Sequence, residues 1–476
     1  MSQLRDSAPL LDAYLSYFEA KRTPFTIPGH KQQAARLDAG LGQVVDVDIP
    51  LSGGLDEVKL TGHVLQQAEA LAAQLWGGDF ARFSTGGSTH ANQASIFALG
   101  KPGDRVAVTR TAHRSVLSAL VLAGLEPIWM SPETGHSSGV PTGIAIETLQ
   151  AALEHKPIAV LLTEPGYLGT MSDLSALIEL AHNQHIPVIV DAAWGAHFGF
   201  HPMLPSHAMQ LGADALITSM HKAMPGYSAS ALLVARTTYL NADRLEHGFE
   251  MTHTTSPAGA PLASIDGCRA LLETRGEELI DELLVNIAGF KARVQAEIAY
   301  PIFSNPREFA DHRFDPAKLV LRANELGTTG IAIEHALLAY GIRVEMADQD
   351  TVVFLATIAD CAQDFDTLAT ALVPILKNLQ SVPRHSATAL SWSVVPEIGL
   401  SLRDAFFAET TTVTRAQAEG RISADLIAPY PPGVAVVAPG EVLTAAIIEG
   451  LTASRAAGVR IAYATDPSLA TYRVVR

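Results

Sequence analysis

The feature that most constrains the fold is a succession of short apolar runs in the middle of the chain, separated by helical segments. The runs mostly lack the alternation of half-exposed strands, so each suits a strand covered on both faces. Strands and helices in this order predict an open α/β sheet with right-handed crossovers between parallel strands. The predicted strands are Arg105–Thr109, Ile158–Thr163, Pro187–Val190, Ala215–Thr218 and Ala231–Ala235.

Amphipathic segments predict helices that cover this sheet. Val64–Trp76 carries apolar residues at helical spacing, and His90–Leu99 follows a glycine-rich stretch. Asp173–His185 has the same helical pattern, with Ser172 or Asp173 available as the N-cap.

The pattern changes after residue 300. Leu284–Ala299 predicts part of a long helix that leaves the sheet, and the prolines that follow interrupt it. Beyond them, a strand, a helix and a strand predict a smaller α/β unit. Asn378–Ser391 is predicted to be a polar connection, and the last segment contains a rigid turn and a helix. These predictions fall on Lys318–Arg322, Ile331–Tyr340, Val352–Ala356, Pro429–Gly433 and Leu443–Ala453.

Composition and charge limit the partners. The 476 residues are 48% hydrophobic with a formal net charge of −16, which argues against nucleic acid or an anionic membrane as partner. The acidic excess favours either a cationic substrate or plain solubility. Cys268 and Cys361 form no close pair, so neither a disulfide scaffold nor a cysteine-based zinc site is expected. Met1–Leu10 lacks a signal-peptide pattern, and no apolar run reaches about 18 residues. We therefore expect a soluble cytoplasmic protein without a membrane or metal partner.

A glycine-rich stretch, Ser84–Thr89, lies directly before a predicted helix. Free N–H groups and hydroxyls at a helix N-terminus bind phosphate, and glycines let the backbone approach the anion. An ordinary Gly-Ser turn is the alternative reading of this stretch.

An aspartate and a lysine each follow a predicted strand. Asp191 ends an apolar run and suits the partner of a pyridine nitrogen, or a capping or metal-binding role. Lys222 follows the next strand in Ser219–Lys222, and a lysine in an enclosed site can lose its proton and form an imine. Most lysines in such a motif lie on the surface. Two neighbouring strands, separated by one predicted helix, would, however, place Asp191 and Lys222 at the two ends of one cofactor ring.

His113 follows another predicted strand and could stack on that ring, although a bystander role is the default for any one of the 17 histidines. Together, a phosphate loop, a stacking residue, a pyridinium partner and an imine lysine make up one pyridoxal 5'-phosphate (PLP) site. The four features together are much stronger evidence for this site than any one of them alone.

With these residues in view, the chain resembles the PLP-dependent Orn/Lys/Arg decarboxylases of the aspartate-aminotransferase fold, in their short bacterial form. The resemblance extends over nearly the whole chain. It is carried by Ile27–Lys31, Gly54–Glu57, Gly87–Thr89 with Asn92, Arg110–Ser115, Asp191–His197, Thr255–Pro257, Gly420–Ala424, Pro429–Gly433 and Pro439–Glu441.

The resemblance implies a fold type I large domain with a mostly parallel seven-stranded sheet, plus smaller C-terminal α/β domains. The implied divisions are an N-terminal arm at 1–25, a PLP-binding domain at 26–300, a small domain at 301–390 and a C-terminal domain at 391–476. It also implies a homodimer, or a dimer of dimers, with shared active sites.

The resemblance also implies roles for individual residues. Lys222 bonds to the cofactor, Asp191 pairs with the ring nitrogen, His113 stacks on the ring, and His221 or Lys222 returns the proton to carbon. The implied cofactor-binding set is Gly87, Ser88, Thr89, His113, Asp191, Ala193, Ser219, His221 and Lys222, with Ser256 from the partner subunit.

The implied function is decarboxylation of a basic L-amino acid, arginine first and then lysine or ornithine, within polyamine biosynthesis. Asp56, Glu57 and Glu164 are candidates for reading the cationic side chain, with surface or capping roles as the alternative. Another PLP reaction, such as transamination or a carbon–carbon or carbon–sulfur lyase reaction, is the second hypothesis. An inactive PLP-fold binding or regulatory protein is the third.

Four departures from the family pattern bear on the substrate. The segment after the lysine, Ala223–Ser230, lacks the family's glutamine, and Asp46–Ile49 lacks a family glutamate. Gly86 replaces an asparagine, and Ala192 replaces the glutamate that often follows the ring aspartate.

Overall fold

The computed structural model describes residues 2–49, 55, 63–134, 141–299, 301–304, 313–379, 396–430 and 434–476. Most of the predicted polar connection at Asn378–Ser391, and residues 431–433 of the predicted turn, lie outside this part of the chain. The domain boundaries implied by the resemblance stay predictions.

A seven-stranded sheet forms the centre of the molecule, with strand order β1-β9-β8-β7-β6-β2-β3. The pairs from β8 to β3 are parallel, and β9 is antiparallel to both β8 and β1. The predicted mostly parallel sheet is therefore confirmed. The strands that form it are β1 (Phe80–Ser84), β2 (Arg105–Thr109), β3 (Glu126–Met130), β6 (Val160–Thr163), β7 (Val188–Asp191), β8 (Ala215–Ser219) and β9 (Ala231–Ala235).

Smaller sheets contain the other strands in the described part of the chain. A three-stranded antiparallel sheet has the order β10-β12-β11, and three two-stranded pairs join β4 with β5, β13 with β16 and β14 with β15. Their bounds are β4 (Glu133–Thr134), β5 (Pro141–Gly143), β10 (Leu319–Arg322), β11 (Met346–Ala347), β12 (Thr351–Phe354), β13 (Thr410–Thr414), β14 (Ala428–Tyr430), β15 (Arg460–Ala462) and β16 (Thr471–Val475).

Helices cover the central sheet and extend beyond it. The longest, α10, leads from the central sheet toward the three-stranded sheet and packs against both α2 and α12. The α-helices are α1 (Ser2–Ser7), α2 (Pro9–Glu19), α3 (Ala39–Val45), α4 (Val64–Trp76), α5 (Gly87–Phe97), α6 (Arg114–Ala123), α7 (Ile146–Leu153), α8 (Leu174–His182), α9 (Ala242–Thr252), α10 (Gly259–Gln295), α11 (Gly330–Leu338), α12 (Ala362–Asn378), α13 (Leu402–Phe407) and α14 (Ala445–Ala456).

Local sequence explains several of these bounds. Asp173 caps α8, since its carboxylate accepts a hydrogen bond from the N–H of Ala176 at 3.2 Å. The α4 helix ends at Gly77, which has a φ of +71°, a conformation that glycine adopts without steric cost. Strands β7, β8 and β9 are buried along their whole length, as non-alternating apolar runs require.

Two details differ from the sequence-based expectation. The segment between Asp191 and Ser219 was predicted to contain a helix, but residues 192–214 form turns. Strand Ala231–Ala235 runs antiparallel to its neighbours, since the chain returns directly from the loop after β8. An apolar run of this length carries no signal of its direction.

No helix in the described part of the chain combines the length and hydropathy that a membrane span needs. Within the same residues, no group of three or more His, Cys, Asp or Glu side chains is arranged to hold a metal ion.

Candidate active site

The predicted site residues meet at one edge of the central sheet. Asp191 is the last residue of β7, and Ser219 is the last residue of the adjacent parallel strand β8. His113 lies four residues after the end of β2, as the N-cap of α6. Carboxyl ends of parallel strands face the same side of a sheet, so these residues gather where open α/β folds bind ligands.

Asp191 is buried and held in a fixed orientation. Its Oδ2 accepts a hydrogen bond from Asn92 Nδ2 at 2.7 Å, and its Oδ1 accepts one from the N–H of Ala193 at 3.2 Å. Asn92 also donates to Ser115 Oγ at 3.0 Å, so one amide connects β7 to the first turn of α6. These two hydrogen bonds fix the direction of the carboxylate at the end of β7.

His113 is held as a neutral ring. Its Nδ1 accepts from the Ser115 N–H at 3.3 Å, which places the proton of the neutral imidazole on Nε2. Burial lowers the pKa of His113, and the charges of Lys222 and Arg114 act in the same direction, while Asp191 opposes them. The flat uncharged ring suits the predicted stacking role, which remains a prediction.

Lys222 lies three residues beyond the end of β8. Burial lowers the pKa of its amine below the ordinary value of a lysine, against the opposing charges of Asp191 and Glu345. A lysine that loses its proton easily is a nucleophile near neutral pH. The structure thus brings Lys222, Asp191 and His113 into one electrostatic cluster.

The glycine-rich stretch forms a cradle at the start of α5. Gly87 has a φ of +70°, and its N–H donates to the carbonyl of Ala229 at 2.6 Å. Ser88 Oγ lies 2.8 Å from Ser219 Oγ, so the α5 N-terminus meets the end of β8. Thr89 is exposed in the first turn of α5.

The segment after the lysine, which departs from the family pattern, supports this cradle. His221 Nδ1 donates to the carbonyl of Ser230 at 2.9 Å, because a carbonyl oxygen can only accept. Ala229 adopts a φ of +64° and provides the carbonyl that binds Gly87. Ser230 Oγ is buried and has no hydrogen-bond partner among the described residues.

No hydrogen bond among the described residues joins Ser256 to this cluster in the single chain. Ser256 is exposed between α9 and α10, and its N–H donates to Thr254 Oγ1 at 3.2 Å. The same connection approaches the cradle at His253, whose Nε2 lies 3.3 Å from Thr85 Oγ1.

Three neighbours of Lys222 were not singled out from the sequence. Lys222 Nζ lies 4.5 Å from the centroid of the Trp194 ring, and Lys318 Nζ lies 3.7 Å from the same centroid. Glu345, exposed just before β11, is the third and acts on the pKa of both lysines. Trp194 offered a signal, since it lies within the segment Asp191–His197 that carries the family resemblance. Lys318 and Glu345 belong to a different part of the chain and offered none.

Of the predicted substrate-reading carboxylates, the structure describes Glu164, whose side chain is hydrogen-bonded to Ser172. Glu164 is buried, and its carboxylate accepts hydrogen bonds from the N–H of Ser172 at 2.9 Å and from the Ser172 hydroxyl. Burial raises the pKa of Glu164 to about 7, which identifies a carboxyl group enclosed by protein. Asp56 and Glu57 lie outside the described residues.

The residues present fit PLP. A phosphate group can accept hydrogen bonds from the hydroxyls of Ser88, at the α5 N-terminus, and Ser219, at the end of β8. The buried hydroxyl of Ser230 has no hydrogen-bond partner among the described residues and can donate as well. A pyridine nitrogen has the Asp191 carboxylate, and an aldehyde has the low-pKa amine of Lys222.

Comparison with known proteins gives consistent results. The family model described as "Orn/Lys/Arg decarboxylase, major domain" matches residues 8–364, and the one described as "Orn/Lys/Arg decarboxylase, C-terminal domain" matches residues 395–461. Arginine decarboxylase from Bacillus subtilis (strain 168) is 32% identical over 479 residues, covering 98% of this chain and 98% of that protein.

Solved structures share the fold. The constitutive lysine decarboxylase of E. coli superposes with a TM-score of 0.82 at 21% identity, covering 98% of this chain and 82% of that chain. A serine palmitoyltransferase from S. paucimobilis with bound PLP has a TM-score of 0.52 at 17% identity, covering 66% of this chain and 76% of that chain.

Proposed function

This chain belongs to the Orn/Lys/Arg decarboxylase family, and on that premise we propose that it is a PLP-dependent decarboxylase that acts on arginine in preference to lysine or ornithine. The observation that carries the reaction class is the position of Lys222 and Asp191 after adjacent parallel strands, with His113 in the same electrostatic cluster. The preference for arginine is supported by relatives named arginine decarboxylase, similar over nearly the whole chain.

In this proposal the cofactor is held at four points. Lys222 would bond to it, Asp191 would pair with its ring nitrogen, and His113 would lie against its ring. Its phosphate is bound by Gly87, Ser88, Thr89, Ser219 and His221, beside Ala193, with Ser256 of a second subunit. When bound, PLP supplies an electron-accepting ring that takes up the electron pair left when carbon dioxide departs.

The side chains of this protein then have distinct tasks. Asp191, fixed by Asn92 and Ala193, keeps its negative charge directed at a protonated ring nitrogen. Lys222 would hold the cofactor before substrate binds, and its Nζ would then carry the proton that is returned to the substrate carbon. His221 already uses its Nδ1 proton on Ser230, so it could donate from Nε2 only as an imidazolium. Lys222 is therefore the proposed proton donor.

We further propose that Glu345 reads the cationic end of the substrate. The two carboxylates that act on Lys222 are Asp191 and Glu345, and the first is committed to Asn92 and the cofactor. Glu345 is exposed, so its carboxylate is open to a guanidinium or ammonium group, which it would attract. Its backbone N–H is fixed to the carbonyl of Val353 at 3.1 Å, which anchors the residue beside β12.

The assembly and cellular setting are part of the same proposal. A homodimer would bring Ser256, exposed in the single chain, to the cofactor phosphate of its partner. Arginine decarboxylation produces an amine that can enter polyamine biosynthesis, which we place in the cytoplasm.

The test is an absorbance spectrum of the purified protein with PLP, followed by separate addition of arginine, lysine and ornithine with carbon dioxide recorded. We expect a visible band that is absent from Lys222→Ala, and carbon dioxide released fastest from arginine. A lysine-dependent band with a keto acid product would assign transamination instead. A protein without any lysine-dependent band would refute the cofactor assignment.

A further inference from the structure

A buried lysine, Lys318, shares an aromatic ring with the half-buried Lys222. The Nζ atom of Lys318 lies 3.7 Å from the centroid of the Trp194 ring, and that of Lys222 lies 4.5 Å from it. The two nitrogens are therefore no farther apart than the sum of these two distances. Lys318 is 5% exposed, so solvent and salt screen its charge only weakly.

A hydrogen-bonded turn fixes Lys318 in this position. Its N–H donates to the carbonyl of Asp315 at 3.0 Å, and the Asp315 N–H donates to the carbonyl of Gly169 at 2.8 Å. The Asp315 carboxylate also lies 3.2 Å from His197 Nε2, on the segment that follows β7. Gly169 has a φ of +86°, and a Cβ there would lie 2.9 Å from the Lys318 Cβ. Glycine thus leaves the space that Lys318 occupies.

Several charges face the two amines. Burial and the charge of Lys222 bring the pKa of Lys318 down to about 8. The carboxylates of Asp315 and Glu345 oppose this shift because they favour the ammonium form. The groups that face Lys222 are Asp191, Glu345, the neutral His113, Lys318 and, next in sequence, His221.

The ring favours one ammonium group over two. An aromatic face attracts a nearby cation, and a second cation at the same ring is repelled by the first. Each amine has a carboxylate of its own, Asp315 for Lys318 and Asp191 for Lys222, and the two share Glu345. The distance to the ring is what distinguishes them: Lys318 is closer, so its ammonium form gains more from the aromatic face, and Lys222 is the amine that gives up its proton.

We propose that Lys318 is a positioning residue for the reaction: its ammonium group, held against Trp194, keeps the nitrogen of Lys222 uncharged and therefore nucleophilic. Lys318 comes from the segment before β10 and Trp194 from the segment after β7, so the effect joins two parts of the fold at the reacting lysine. This inference rests on the proposed role of Lys222 as the lysine that bonds to PLP.

The test is a pH titration of the lysine-dependent visible band in the full-length protein loaded with PLP and without substrate. The midpoint reports the pKa of the Lys222 nitrogen. Lys318→Met removes the positive charge at similar volume, so we expect the midpoint to rise by about one pH unit. Lys318→Arg retains the charge, and its midpoint should stay within about 0.3 units of the parent protein.

Lys291→Met is the matched control. Lys291 is a half-buried lysine whose pKa is lowered by burial and raised by Asp315, but Lys222 is not among the groups that act on it. Its replacement should leave the midpoint unchanged. Should Lys318→Met fail to fold, Lys318→Gln makes the same change of charge with a polar group.

Two results would overturn the inference. One is a midpoint in the folded neutral variants that equals that of the parent protein; the other is an equal shift in Lys318→Met and either Lys318→Arg or Lys291→Met. Loss of the proposed function gives a different result. In that case the parent protein and Lys222→Ala would have the same spectrum, and no lysine-dependent band would exist to titrate.

Discussion

Arg110 and Glu441 lie 331 residues apart in the chain, yet they form a buried ion pair in which Arg110 Nη2 is 2.8 Å from Glu441 Oε2. The same Arg110 nitrogen donates to the carbonyl of Val436 at 2.8 Å, and the guanidinium carbon lies 4.7 Å from the centroid of the Trp129 ring. Arg110 directly follows β2 and precedes His113 by three residues. The C-terminal part of the chain therefore supports the turn that carries the proposed stacking residue.

The first prediction concerns this pair. Glu441→Ala leaves the Arg110 charge buried without its partner, and we expect it to lower the free energy of unfolding by about 3–5 kcal/mol. The measurement is the midpoint of urea-induced unfolding. A double replacement of Arg110 by Met and Glu441 by Leu should recover part of the loss, because neither charge is then buried.

An exposed ion pair provides the control for that experiment. Arg293 and Asp366 are 2.8 Å apart, with 47% and 64% of their side chains exposed. Asp366→Asn should cost less than about 1 kcal/mol. Equal effects of the buried and exposed replacements would contradict the assigned importance of burial.

The second prediction concerns the charge of Asp191. Asp191→Asn retains the size of the side chain but cannot stabilise a protonated ring nitrogen, so we expect decarboxylation to slow by about 10²–10³-fold. The lysine-dependent band should remain, since Lys222 is intact. Stopped-flow release of carbon dioxide from arginine measures the change, and a rate within about threefold of that of the parent protein would refute the role.

The third prediction concerns substrate recognition. Glu345→Gln removes one charge facing the substrate, so the KM for arginine should rise about tenfold while kcat changes little. Glu325→Gln is the control, because Glu325 is also exposed and follows β10 closely. If both variants have the parent KM, another group reads the cation.

The fourth prediction concerns the pH dependence of stability. Burial raises the pKa of Glu164 to about 7 from an ordinary value of 4.5, so the folded protein binds more protons than the unfolded chain between these values. The contribution of Glu164 to the free energy of unfolding is fully present below pH 4.5 and is lost as pH rises through about 7. Glu164→Gln should remove this part of the slope, about 3 kcal/mol in total, in urea unfolding measured from pH 5 to 8. A slope identical to that of the parent protein would contradict the assignment.

The sequence predicted those parts of the site that lie beside strongly apolar strands. Asp191 and Lys222 could be assigned to adjacent strands because each follows a buried run of β-type residues, and the structure pairs β7 with β8. The Val64–Trp76 helix was predicted with the bounds that the structure has, since its apolar spacing is regular and a glycine ends it.

The parts that sequence missed depend on tertiary folding. Lys318 was assigned to the start of a strand in the smaller unit. No local pattern connects it with Trp194, which lies 124 residues earlier in the chain. Glu345 lies just before β11, which pairs with β12, and its charge acts on the pKa of Lys222 through the folded structure. Strand β1 was missed because its arginine interrupts a run that was otherwise apolar.

The closeness of Trp194 to two lysine amines has an optical consequence. Indole emission responds to nearby charge and to chromophores that absorb in the near ultraviolet, so this ring is a built-in fluorescent reporter of the site. The chain has four tryptophans, and subtracting the spectrum of Trp194→Phe would isolate the signal of this one. Cofactor loading could then be followed in real time by emission, before any substrate is added.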